Sequence, residues 1–164
     1  MAEAKKKSGN RAKSKGKARS PKPTERNLPA VDETTKWIGR RVDGMGERPL
    51  GRVIGIHVDA TDSQPRWAVI KLGPLAGTTG IPVEHLAAGG PKRLFAAYPR
   101  DLIRNAVRFS PNEDLTAGDE RELCESLEMP PDVGRIAELE RRRDKTVTAK
   151  PLVLADPEDD SERR

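Results

Sequence analysis

The chain predicts a mainly β fold, a small barrel with short C-terminal helices and disordered tails. Three observations carry this. Apolar side chains recur with period two in short segments between residues 37 and 98. Turns rich in glycine and proline separate those segments at hairpin spacing. Before Trp37 the only branched apolar side chains are Leu28 and Val31. With 164 residues, 34% of them hydrophobic and 35% charged, the chain has room for one domain plus tails.

Residues 1–34 are Lys, Ser, Gly, Ala and Pro for the most part. So few apolar groups cannot offset an ordering cost of roughly 1–2 kcal/mol per residue, and a disordered, Lys-rich arm is expected there. Its cations are Lys5, Lys6, Lys7, Arg11, Lys13, Lys15, Lys17, Arg19, Lys22 and Arg26, spaced by small residues. Such a polycation suits phosphates, so RNA (the ribosome included) or DNA is the expected partner of the arm. Aromatic side chains are absent from it, which leaves no means of stacking on bases or reading sequence. The alternatives are an inert solubilising tail and an anionic membrane surface, the latter weakened because no acylation signal or apolar anchor accompanies the charge.

The formal charge of +5 is uneven. Residues 1–26 hold ten Lys or Arg against Glu3 and Glu25, and the remainder carries 21 basic against 24 acidic residues. No concentrated basic stripe is therefore expected in the folded part.

A domain is expected over residues 35–129. Trp37-Ile38-Gly39-Arg40-Arg41-Val42 reads as a first strand, Gly44-Met45-Gly46-Glu47 as a turn, and Leu50 to Asp59 as a second strand. Within the latter, Ile54, Ile56 and Val58 alternate with Val53, Gly55 and His57. Ile56 is assigned to the core face and His57 to solvent. Thr61-Asp62-Ser63-Gln64-Pro65 turns the chain into a third strand, Arg66 to Leu72. There Ala68, Ile70 and Leu72 face inward, leaving Trp67 and Val69 as a candidate protein-binding patch outside. Packing of the tryptophans under the C-terminal helices is the competing reading. Short strands at Gly80–Val83 and Leu94–Tyr98 would curl the sheet into a barrel and hide its edges.

Arg100 to Arg104 reads as one helical turn. A helix starts near Leu115-Thr116, with Thr116 as cap and with Asp119 and Glu120 where the helix dipole favours negative charge. Leu123 and Leu127 would press it onto the sheet. A further helix is expected within residues 130–143, anchored by Ile136 and Leu139, and a flexible acidic tail over 144–164. Within that tail, Pro151-Leu152-Val153-Leu154-Ala155-Asp156 reads either as an added edge strand or as a short linear motif.

Ile38-Gly39, Leu50-Gly51-Arg52-Val53, Asp59, Leu72-Gly73 and Tyr98-Pro99-Arg100-Asp101-Leu102-Ile103-Arg104 together resemble the PRC-barrel family. That family is known from the photosynthetic reaction-centre H subunit and from a ribosome-maturation factor. The chain departs from it at Val107 and at Leu127-Glu128-Met129. The resemblance implies a docking module and transfers no catalytic residue. A non-enzymatic protein is thus expected, holding a protein partner by its barrel and nucleic acid by its arm. The alternatives are a purely protein- or small-ligand-binding module and an unrecognised enzyme.

No catalytic, cofactor or metal site is expected. His57, Asp59, Glu84 and His85 lack ligand spacing, and no CxxC or HExxH is present. Cys124, beside Leu123 and Leu127, reads as a half-buried structural thiol. A lone cysteine excludes an intramolecular disulfide framework and fits a reducing compartment. No apolar run approaches a spanning helix, and none follows the early lysines before Trp37. A cytoplasmic protein without membrane insertion is the expectation.

Overall fold

A computed structural model describes residues 28–129 and 133–153. The chain enters through α1 (Val31–Thr35), where the buried Thr34 hydroxyl donates to the Val31 carbonyl at 2.9 Å. Residues 28–34, expected to lie in the arm, belong to the folded part instead: Leu28 packs against the core, and Trp37, only 4% exposed, anchors the segment that follows. Strands β1 (Arg41–Asp43), β2 (Pro49–Asp59) and β3 (Pro65–Lys71) form an antiparallel meander. A one-turn 3-10 helix at Met45–Glu47, with Gly46 at φ 70°, makes the first turn. Next come β4 (Thr78–Pro82), a second 3-10 turn at Val83–His85, β5 (Leu86–Ala88) and β6 (Arg93–Ala96).

The strand order is β4-β3-β2-β1-β6-β5, with β1 and β6 parallel. The expected barrel does not close. Strands β4 and β5 end this path and follow each other in sequence, but the 3-10 turn between them redirects the backbone and no ladder joins them. The result is a mixed eight-stranded sheet in which two short strands lie off the main path.

Those two strands come from the C-terminal half, which also supplies the longer helices. α2 (Arg100–Asn105) is followed by β7 (Leu115–Thr116) and α3 (Ala117–Ser126). At the start of α3 the Thr116 hydroxyl accepts from the Asp119 amide at 3.2 Å, and the Asp119 carboxylate accepts from the Thr116 amide at 2.8 Å. This reciprocal cap satisfies amides that the helix itself leaves unpaired. Leu123 and Leu127 are each 1% exposed and carry α3 onto the core. In α4 (Val133–Arg141), Leu139 is buried whereas Ile136 stays 39% exposed, so one of its two expected anchors does not dock.

Residues 144–153 are not tail. Strand β8 (Val147–Pro151) pairs with the far end of β2 through His57↔Pro151 and Asp59↔Ala149, and with β7 through Leu115↔Ala149. This added strand begins before the Pro151 segment considered for the role; residues 154–164 lie outside the described ones.

Period two fails along β2. A bulge places an extra residue, Ile54, between the pairs Val53↔Ile70 and Gly55↔Val69. Val53 and Ile56 thus both reach the core although they are three apart. The opposite face is covered as well, so His57 is fully buried rather than solvent-facing. Among the described residues no helix is long and apolar enough to cross a membrane.

Candidate nucleic-acid interface

The cations of the arm, Lys5 to Arg26, lie outside the described residues. Trp67 and Val69 do not form an outer patch: they are 5% and 0% exposed. The tryptophan lies under α3 and donates its indole N–H to Glu120 Oε1 at 2.7 Å, in a dry environment that needs such a partner. Both faces of β3 are interior.

Around that indole is a buried ionic cluster. Glu120, with no exposed surface, binds Arg135 of α4 through Oε2. Arg135 also approaches Asp59 Oδ2 at 3.6 Å and Glu138 Oε2 at 3.3 Å, and Arg66 donates to Asp59 Oδ2 at 3.1 Å. Burial works against ionised Asp59. The amide of Thr61 and the charges of Arg66 and Arg135 outweigh it and hold the carboxyl below its ordinary range. Burial likewise opposes the Arg135 charge and is overcome by Glu120, Glu138 and Asp59. The cluster couples α3 and α4 to the β2–β3 hairpin.

His57 shares this neighbourhood. Its Nε2–H donates to the Glu113 carbonyl at 2.8 Å and its ring meets Phe109 edge-on at 5.5 Å. Nδ1 is buried without a partner. Desolvation lowers the pKa of this imidazole, against the Glu113 bond and the charges of Asp114 and Glu120. Burial, reinforced by Glu120, pushes the Cys124 thiol up to about 11, so it is protonated and unreactive at neutral pH. His85 Nδ1 lies 2.5 Å from the hydroxyl of buried Tyr98, whose pKa burial raises. Among the described residues no group of three or more His, Cys, Asp or Glu is gathered to hold a metal ion.

The exposed chemistry lies elsewhere. Two adjoining depressions share Arg41 and Arg52 in their walls. One also presents Lys71 and Arg100 beside the apolar Pro49, Leu50, Ile54, Leu72 and Pro74, the other Lys36, Arg40, Lys92 and Arg93, and neither wall contains an acidic side chain. The carboxylate behind them is Asp43, fully buried at the end of β1. It accepts from Arg41 Nε at 2.6 Å and from Arg93 Nε and Nη2 at 3.0 and 2.7 Å. Burial disfavours its charge, but these two arginines prevail and hold its pKa below the usual value. Arg52 is fixed through Nη1 to the Gly39 carbonyl at 2.8 Å.

The charge balance predicts no concentrated basic stripe in the folded part, and the structure overturns that expectation. Net charge counts residues without placing them, and cross-strand pairing gathers cations that are distant in sequence. One signal is present in the sequence: Arg41 and Lys71 sit near the end, and Arg52 near the start, of apolar segments that read as strands. No protein-family model and no curated protein matches the chain.

Proposed function

We propose that this protein is a non-enzymatic docking module, related to the PRC-barrel proteins, that holds nucleic acid by its phosphates. The observation that supports this reading most is the basic double depression, with no acidic residue in its walls, on the body that follows a ten-cation arm. Lys36, in the wall of the second depression, is only ten residues beyond Arg26, so arm and face can serve one polyanion. Protein docking through Trp67 and Val69 is no part of this reading, since both are buried.

Binding of this kind releases counterions and is steeply salt-dependent. Full-length protein titrated on random-sequence duplex and single-stranded RNA and DNA should lose affinity on the order of a thousandfold between about 50 and 200 mM salt. A log-log slope near zero, or no binding at low salt, overturns the reading.

A further inference from the structure

Resting on that reading, we infer that Lys71, Arg52, Arg41 and Arg93 form a transverse cation ladder that seats the phosphodiester backbone of a nucleic-acid duplex. These residues are direct partners across four adjacent strands: Lys71 of β3 opposes Arg52 of β2, Arg52 opposes Arg41 of β1, and Arg41 opposes Arg93 of β6. Partners in register project from the same face. At about 4.8 Å per strand the row spans about 14 Å, and one strand of a duplex presents a phosphate every ~3.4 Å of axis within reach of such side chains.

Like charges directly opposite one another destabilise a sheet, so the row works against the fold that carries it. Two devices hold it in place. Asp43 fastens the nearest pair, Arg41 and Arg93, from behind and leaves their remaining N–H groups for a ligand. Next to Arg52, the β2 and β3 backbones approach so closely at Gly51 that a Cβ would stand 2.1 Å from the Lys71 carbonyl oxygen, which pins the Arg52↔Lys71 rung.

A duplex fits this row better than a single strand. Single strands are held by stacking on aromatic side chains as well as by charge. Among the described residues Trp37, Trp67 and Tyr98 are buried, half-buried Phe109 packs against the core and the His57 ring, and half-buried Phe95 carries the Arg93 guanidinium 5.7 Å from its ring centre. The exposed large apolar side chains are Met45, Leu75, Ile136 and Val153, none of them aromatic. What remains is a row of donors, three of its four side chains held by Asp43 or the Gly39 carbonyl, for a regular row of phosphates.

The test compares two full-length double variants of equal charge by fluorescence anisotropy at about 100 mM salt. Arg52→Gln with Lys71→Gln removes two rungs; Arg141→Gln with Lys145→Gln neutralises two exposed cations that line neither depression. On short random-sequence duplexes of DNA and of RNA, the ladder variant should lose on the order of tenfold or more in affinity and about two units of salt slope, the control under about threefold. Whichever duplex shows the larger loss identifies the natural source of the backbone. Asp43→Asn separates positioning from bulk charge: removing an anion should tighten binding if only net charge matters, and weakens it if the arginine pair needs its fastening. Equal losses in the two double variants overturn the ladder while leaving the proposed function standing. So does a ladder effect larger on single strands than on duplexes. Absence of binding by the unaltered protein overturns both.

Discussion

His57 shows how much one residue's placement depends on its surroundings. The folded protein holds it neutral, chiefly by burial, while an unfolded chain would protonate it near the ordinary imidazole pKa of 6.5. Its stabilising contribution is therefore complete above about pH 6.5 and is lost as the pH falls from there towards the depressed folded-state value. Thermal melts between about pH 7.5 and 5.5 should show a falling midpoint that His57→Phe flattens; an unchanged pH profile in the variant would place the imidazole in water. His57→Ala should cost on the order of 2 kcal/mol through the lost Glu113 bond and the vacated space. At neighbouring Ile56, 2% exposed and in the core, Ile56→Asp buries an unpaired charge. That penalty of several kcal/mol is comparable with a whole domain's stability of about 5–15 kcal/mol, so the variant should not fold, as circular dichroism would report. Ile56 is legible as a core residue from the apolar alternation around it. His57 is not, because alternation names faces without saying what covers each of them.

Among the helices and strands, the starts that local chemistry specifies are the most legible. Thr116 and Asp119 are three residues apart, and the cap they form needs nothing from the rest of the chain. Thr116→Ala should lower stability by about 1 kcal/mol in a denaturant melt. Docking of α4 is a different matter, resting on Leu139 and on Arg135 placed between Glu120 and Asp59. Arg135→Ala leaves the Glu120 carboxylate buried without its ion pair, held by the Trp67 indole, and should cost about 3 kcal/mol or more. Combining Arg135→Met with Glu120→Gln should recover part of that loss. Additive losses in a double-mutant cycle would show that the pair does not couple. Strand β8 escapes a reading of the sequence because Lys150 and Pro151 break its apolar pattern and its partners, Leu115 and residues 57–59, lie far back along the chain.

For the protein entire, the division of charge decides how binding should respond to truncation. Deleting residues 2–26 removes ten cations and two anions, yet the basic face remains on the body. The shortened protein should keep weak duplex binding with a slope of about −3 to −4, one phosphate for each rung of the ladder. Complete loss would assign all binding to the arm. A mainly β protein with short C-terminal helices, the approximate positions of most of its principal strands, the cap of α3, Leu123 and Leu127 as anchors, and a cation-rich N-terminal segment are all legible in the linear chain. Each of these depends on residues close together, where period, turn chemistry and capping act directly. Long-range packing had to settle that the sheet stays open, that Trp67, Val69 and His57 are interior, and that Lys71, Arg52, Arg41 and Arg93 stand in one row. Strand pairing and the register set by a bulge depend on contacts between distant residues, and a shift of one residue in register moves a side chain to the opposite face.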